Sequence, residues 1–269
     1  MQLRIMSFNL RYWNNGDGEY GWPERRESVA EVILQNKPLI FGTQEGLLPM
    51  LQDLDGRIPA YDRIGEGRWE GDENEYNAIY YRRDELDMVG WNQFWLSETP
   101  ALPGSKSWDS SLPRICTWGI FRHRSTQEEF AFFNTHLDHS GEEAREKGTL
   151  LIWQEISRYI QEGVPCILTG DFNCKPGSAP INFLRSQLLD ALHSQGKGDV
   201  GTSHEFKGVA EPGPIDYIFT TNNVTILDAD VLEGKVKGVL PSDHFPIIAT
   251  IDLSEGVETR WDKFTQKER

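Results

Sequence analysis

The sequence predicts an α/β protein in which two mixed β-sheets pack face to face with helices on their outer faces. Three observations lead there. Many short runs alternate apolar and polar residues with period two, and two longer stretches space apolar residues at the helical period. Strand–helix–strand alternation at both ends of the chain brackets a run of consecutive strands in its middle.

The first strand is Leu3-Arg4-Ile5-Met6-Ser7-Phe8-Asn9, with strict alternation. A helix follows: Pro23 suits a first turn, Val29, Val32 and Ile33 share one face, and Asn36-Lys37-Pro38 closes the segment. Strands are then expected at Leu39 to Thr43, Asn77 to Arg82, Met88 to Leu96, Ile115 to Phe121 and Phe130 to Thr135. The longest helix runs from Glu142 to Glu162, with Leu151, Ile152, Ile156, Tyr159 and Ile160 on one stripe and Gly163 at its end. Val164 to Leu168, Ile215 to Thr220, Val224 to Val231 and Phe245 to Ile251 complete the set. Trp95 to Trp118, containing Pro100, Pro103, Gly104 and Pro113, reads as a long ordered loop that holds Trp108 near the polar strand ends. An indole there stacks a base, packs on a sugar, or only packs the loop.

No Gly/Ser-rich or Pro-rich linker, low-complexity tract or short repeat interrupts the 269 residues, so one domain over residues 1–269 is expected, with residues 255–269 a loosely packed polar tail. No apolar run approaches the roughly 18 to 20 residues a membrane helix requires, and the N-terminus lacks the zones of a secretory signal, which points to the cytoplasm and away from the membrane. Three cysteines, Cys116, Cys166 and Cys174, show no Cys-x-x-Cys spacing and read as reduced thiols. The formal charge is 27 − 42 = −15, a surface that repels polyphosphate and disfavours tight non-specific duplex binding. A phosphate substrate stays open, because a divalent cation in a carboxylate pocket inverts the local potential.

Polar residues collect at the strand ends, where a side chain is free to face a ligand. Asn9, Glu45, Asn134 with His136, Asp171 with Asn173, Asp216, and Asp243 with His244 occupy six such ends. The set is rich in carboxylates, imidazoles and amides and poor in activated Ser or Cys nucleophiles, which suits metal-assisted hydrolysis. Phosphoester hydrolysis needs a cation on phosphoryl oxygens, a base for water and donors for developing charge. Glu45 is the natural oxygen ligand for Mg²⁺, and His136 and His244 are candidate phosphate donors. Asp216 would hold His244 in one tautomer, and Asp171 would orient or deprotonate the water. Each has a plainer rival: Glu45 capping a helix at Leu47-Leu48, Asn9, Asn134 or Asn173 bonding local backbone, and His136 as a solvated loop residue. The joint occurrence favours the functional reading.

Six motifs carry a family resemblance over Leu3 to Ile251: Ser7-Phe8-Asn9-Leu10-Arg11, Gly42-Thr43-Gln44-Glu45, Asn134-Thr135-His136-Leu137, Thr169-Gly170-Asp171-Phe172-Asn173, Ile215-Asp216-Tyr217-Ile218 and Ser242-Asp243-His244-Phe245-Pro246. In this order they resemble the endonuclease/exonuclease/phosphatase superfamily, and Asn9-Leu10-Arg11-Tyr12 with Phe94-Trp95-Leu96-Ser97 is similar to an uncharacterised bacterial subgroup of it. The resemblance implies a four-layered α/β/β/α sandwich, deoxyribonuclease-I-like, and a phosphoesterase dependent on Mg²⁺ or, in its place, Mn²⁺. It implies Glu45 as metal ligand with Asn9 and Asp243 beside it, Asp171 as the water-activating residue, Asn173 as a phosphate donor, and His244 paired with Asp216. His136 stands where apurinic-site repair enzymes carry tyrosine, which argues against that branch. By the same resemblance Arg114 is a phosphate-binding arginine and Glu75 a carboxylate partner of His136. The expected partner is a phosphate ester, either a nucleotide-like or sugar-phosphate small molecule or a short or single-stranded nucleic acid end. A non-catalytic binding module on the same fold is the alternative of another class.

Overall fold

Alternation in the first residues builds β1 (Gln2–Asn9), whose Leu3 and Ile5 face one side while Met6 and Phe8 bury on the chain's outer helical layer. A computed structural model describes residues 1–69 and 71–253; the tail expected at 255–269 lies outside the described residues. A 3-10 turn (Asn15–Tyr20) leads into α1 (Trp22–Asn36), which ends where Lys37 turns left-handed, φ 48°, and returns its N–H to Ile33 O at 2.8 Å. The chain then enters β2 (Ile40–Gln44), parallel to β1 with Asn9 opposite Gln44. α2 (Leu48–Arg57), β3 (Tyr61–Ile64) and β4 (Ile79–Arg82) follow.

The middle meander is β5 (Leu86–Trp95), β6 (Ile115–His123) and β7 (Glu129–His136). A second crossover, α3 (Glu142–Gln161), carries the chain to β8 (Cys166–Asp171), parallel to β7 with His136 opposite Asp171. α4 (Ala179–Gln187), β9 (Leu189–Asp190), α5 (Ala191–Ser194), β10 (Asp216–Thr220), β11 (Thr225–Val231) and β12 (Ile247–Asp252) complete the described residues. The strands form two six-stranded sheets, ordered β11-β12-β1-β2-β4-β3 and β5-β6-β7-β8-β10-β9. Each sheet holds a single parallel pair, β1–β2 or β7–β8, and each pair is joined by a helix, as parallel strands require. This is the deoxyribonuclease-I-like α/β/β/α sandwich the sequence predicts.

Period-two alternation explains the layers. In β7, Phe130 and Phe132 enter the seam between the sheets with Ile5, Ile40, Ile79 and Ile218, while Ala131 and Phe133 bury under Ile152 and Ile156 of α3. On the other flank Val29, Ile33, Leu51 and Leu54 cover Met6, Phe8, Phe41 and Tyr80. Each such side chain contributes about 1.5–3 kcal/mol of burial.

At one end of the seam the contacts turn polar. Asn134, fully buried on β7, donates from Nδ2 to Thr43 O at 2.8 Å and Ala78 O at 3.0 Å on the opposite sheet. Its Oδ1 accepts from Gln44 Nε2 at 2.7 Å and Thr169 Oγ at 3.1 Å, so the amide is satisfied on both sides. Gly42 makes the approach possible, since a Cβ there would meet Asn134 Oδ1 and Thr169 Oγ at 2.4 Å.

The elements differ from expectation in particulars. β3 and β9 are short and unexpected, α2 is the helix expected at Leu47-Leu48, and α4 and α5 are additional; four residues containing Asp62 and Arg63 show no usable period. Trp95 and Trp118 lie inside β5 and β6, so the expected loop between them shrinks to residues 96–114. β12 starts at Ile247 because Pro246 has no N–H for the ladder and Phe245 N bonds Thr202 O instead, 2.8 Å.

Gly42→Ala is expected to lower unfolding stability by ~1–3 kcal/mol, since a methyl forced between the sheets overpacks the bridge. Denaturant unfolding with an unchanged m-value checks this, and wild-type stability would contradict the close approach.

Candidate active site

β1, β2, β7 and β8 end at the polar side of the seam, and β10 starts there, so the loops beyond them share one mouth. Asn9, the last residue of β1, joins the two sheets: its Nδ2 donates to Glu45 Oε1 at 3.1 Å and to Asp171 Oδ2 at 3.0 Å. Its Oδ1 accepts Arg11 N at 2.9 Å, which fixes the amide's orientation. Glu45 follows β2 with left-handed backbone, φ 63°, and its Oε2 accepts Tyr12 N at 3.0 Å. The capping rival therefore fails, because α2 has no side-chain cap and the Glu45 carboxylate turns back to β1. Arg11, φ 55°, and Asn173, φ 49°, are left-handed as well. Such conformations cost free energy and cluster where geometry is held for function.

On the second sheet Asp171 is 2% exposed and receives Asn173 N on Oδ1 at 2.9 Å. Asn173 Nδ2 donates to Leu137 O and to His136 Nε2, each at 3.0 Å. The His136 lone pair is thus on Nε2 and its proton on Nδ1, with Nε2 3.5 Å from Asp171 Oδ2. Asp216, paired across the sheet with Asp171, accepts His244 Nδ1–H at 2.8 Å, and that nitrogen lies 3.9 Å from Asp171 Oδ2.

Burial, together with the neighbouring Asp216 charge, pushes the Asp171 carboxyl up to about 7. For His244 burial acts to lower the pKa, but Asp216, Asp171 and Asp243 outweigh it and the imidazolium is favoured above its ordinary range. His136 goes the other way: burial, then Arg114 and Arg68, hold it neutral. Two histidines at one mouth therefore differ in charge. Burial also raises Asp243, which sits 3.9 Å from the Arg11 guanidinium.

Two groups of donors converge within 4.8 Å, Glu45 with His136 and Asp171, and Asp171 with Asp216 and His244. Asp171 belongs to both, and Asp243 stands outside them. The donor set fits a divalent cation that prefers oxygen: the Glu45 charge acts to raise the carboxyls of Asp243 and Asp171, while the nearby Arg11 is already paired with Asp17 at 3.0 Å.

Other expected residues are engaged by partners of their own. Arg114, 5% exposed, is engaged by Asp138 Oδ2 at 3.4 Å and His139 Nδ1 at 3.0 Å, and it lines a small cavity with Arg68, Glu75 and His136. Glu75 belongs to Arg68, which donates to both its oxygens at 2.8 and 3.0 Å, and among the described residues His136 Nδ1 has no hydrogen-bond partner. A tertiary arginine thus takes the carboxylate that the motif assigned to the histidine. Trp108 is half-buried, in a loop whose next residue, Asp109, accepts Ala144 N at 2.7 Å and ties it to α3.

Sequence reasoning passed over Arg25. It is fully buried and donates to four carbonyls: Tyr20 O at 2.5 Å, Pro241 O at 2.7 Å, Leu10 O at 2.8 Å and Arg11 O at 3.0 Å. These contacts staple the loop after Asn9 to the segment before Asp243. Burial lowers this guanidinium to about 10 against the opposing pull of Asp243 and Asp17. Nothing in Pro23-Glu24-Arg25-Arg26 marks one arginine as internal. Asp138 was missed as well: seven donors, among them Ser111 Oγ at 2.6 Å and Gly141 N at 2.8 Å, fix the turn after His136.

The model of the endonuclease/exonuclease/phosphatase family matches residues 6–244. A mannosyl-6-phosphatase from Bacteroides thetaiotaomicron VPI-5482 is 36% identical, with 93% of this chain and 99% of that one covered and a TM-score of 0.86. An endonuclease/exonuclease/phosphatase from Bacteroides vulgatus is 34% identical over 94% of this chain and all of that one, with a TM-score of 0.87. RNA exonuclease NGL1 of Saccharomyces cerevisiae is 30% identical over 141 residues, 47% of this chain, and the match spans only 35% of that protein.

Asp171 generates a pH prediction for the metal-free protein. A carboxyl raised to about 7 in the folded state costs stability once ionised, a cost that begins near its ordinary pKa of about 3.9 and is complete above 7. The stability of Asp171→Asn relative to wild type should therefore rise from pH 4 to pH 7 and then level off. Denaturant midpoints in chelator measure it, and a pH-independent difference would contradict the raised carboxyl.

Proposed function

The chain belongs to the endonuclease/exonuclease/phosphatase family, and from that premise we propose that it is a divalent-metal-dependent phosphoesterase. In this reading it hydrolyses a phosphomonoester or phosphodiester by in-line attack of water, without a covalent enzyme intermediate. The observation that carries the proposal is the convergence of Glu45, His136, Asp171, Asp216 and His244 on one mouth, with Asp171 common to both donor groups.

Glu45 would hold the cation, with Asn9 fixing its carboxylate and Asp243 adding negative charge nearby. When bound, Mg²⁺, or Mn²⁺ in its place, supplies positive charge at the phosphoryl oxygens. Asp171 takes the proton of the attacking water; its two oxygens are aimed by Asn9 and Asn173, and a pKa near neutrality suits a base. His244 is held by Asp216 through Nδ1, which leaves Nε2 to donate to phosphate as charge develops. In this reading Arg114 supplies a further donor, while the Nδ2 protons of Asn9 and Asn173 are committed to Glu45 and Asp171 and to Leu137 O and His136, so these amides orient their partners around the phosphate. Neutral His136 positions Asn173 through Nε2 beside the phosphate.

A small phosphate ester is the favoured substrate. The likeness to a mannosyl-6-phosphatase over 93% of the chain and the net charge of −15 both support it. The partial likeness to an RNA exonuclease supports a second reading, hydrolysis of short or single-stranded nucleic acid ends. Against a binding module stands the carboxylate–histidine set itself, complete at every position. No described helix is long and apolar enough to cross a membrane, and we place the reaction in the cytoplasm, within one domain over residues 1–269.

Turnover of p-nitrophenyl phosphate, bis(p-nitrophenyl) phosphate, a hexose 6-phosphate and a short oligonucleotide with Mg²⁺, Mn²⁺ or EDTA tests the reading. Metal-dependent release is expected, with Asp171→Ala and His244→Ala each losing ~10²-fold or more while remaining folded. Absence of metal-dependent release from every substrate would favour the binding module. Glu45→Gln is expected to raise the metal concentration at half activity, and an unchanged titration would remove its ligand role. On oligonucleotide, affinity falling steeply with salt would favour the nuclease, and a flat response the small ester.

A further inference from the structure

We propose that His204 is a positioning residue for the Asp216–His244 pair, acting on the Asp216 oxygen that His244 leaves free. The inference rests on the catalytic role given to that pair above. Residues 202–205 form a strap across the segment that carries His244: Phe245 N bonds Thr202 O at 2.8 Å, His204 N bonds Asp243 O at 2.8 Å, and Ser203 pairs with His244 as an isolated antiparallel bridge. The same strap reaches Asp216, because Thr202 Oγ accepts Ile215 N at 3.1 Å and Asp216 N at 3.2 Å. It therefore grips both members of the pair through the backbone.

The His204 ring lies inside this grip. It is 3% exposed and its centroid is 4.0 Å from that of Phe245, the residue next to His244. Among the described residues neither ring nitrogen has a hydrogen-bond partner, and neither does the buried Asp216 Oδ1. A buried polar atom left unpaired is costly, so a ring that only packed on Phe245 would be better served by an apolar side chain. The strap sets the ring beside the pair, since Thr202 Oγ accepts Asp216 N and His204 N bonds Asp243 O, the carbonyl just before His244. A neutral imidazole offers one N–H, the complement of a carboxylate oxygen, and because neither ring nitrogen bonds Asp216 Oδ1 directly, the proposed link runs through one bridging water. With both oxygens engaged, Asp216 has no freedom to swing away from His244 Nδ1. Outer partners of this kind typically tune activity by about 10–100-fold.

The test compares His204→Phe, which keeps the ring contact with Phe245 and loses the nitrogens, with His204→Gln, which restores a donor. His204→Phe is expected to fold, keep KM for p-nitrophenyl phosphate and lose roughly tenfold in kcat, with His204→Gln recovering part of it. In chelator-treated protein the low-field proton resonance of His244 Nδ1–H should shift or broaden in His204→Phe and return in His204→Gln. If His204→Phe does not fold, His204→Met, flexible enough to fill the same space, takes its place. Wild-type kcat and resonance in the apolar variant, or a glutamine variant no better than it, would overturn the proposal. The resonance separates the two claims: a fully active His244→Ala would remove the catalytic reading, while the proton signal still decides whether His204 holds the pair.

Discussion

The site depends on two sheets meeting through one amide. Elsewhere the seam is sealed by side chains such as Phe132 and Ile40, which need only size and apolarity to pack. At the mouth, Asn134 spans from the second sheet to the carbonyls of Thr43 and Ala78 on the first, and Gly42 leaves room for it. Glu45 lies two residues beyond Thr43, and His136 two residues beyond Asn134. A fully satisfied buried amide has one low-energy geometry, so it sets where the two strand ends stand relative to each other. Asn9, itself buried, then repeats the arrangement at the mouth, with Glu45 on one hydrogen bond and Asp171 on the other.

Charge placement follows from this geometry. Asp171 is crowded by burial and by Asp216, while the same acids favour the His244 imidazolium. His136 sits on the arginine side of the mouth and stays neutral. One wall thus offers an acid–base pair and the other a neutral acceptor bound to Asn173. The left-handed backbones of Glu45 and Asn173 accompany side chains held at the mouth by Tyr12 N and His136, at a conformational cost borne by packing around them. Arg25 joins in from beneath, closing the carbonyls of the β1 exit onto those ahead of Asp243.

Much of this was legible in the sequence. Period-two runs such as Phe130 to Thr135 revealed strands because one face of each is buried, and the six polar strand ends were readable because a side chain beyond the ladder has no packing reason to be acidic or basic. The short β3 and β9 escaped because two to four residues carry no period, and α4 because Ala179-Pro180 opens it without a capping side chain. Partner choice was harder to read than position. Glu75 is within reach of an arginine seven residues upstream, and only the folded hairpin shows Arg68 taking it. Arg25 and His204 were hidden for the same reason: an internal arginine or histidine is spelled like an external one, and its role lies in groups far along the chain.

The central claim is that groups on opposite sheets act as one unit at the shared mouth. A double-mutant cycle on kcat/KM between Glu45→Gln, on the first sheet, and Asp216→Asn, on the second, tests it most directly. The account predicts strong non-additivity, with the double variant scarcely less active than the weaker single variant. Losses that simply add would mean that the two residues serve independent sites, and the account would fail.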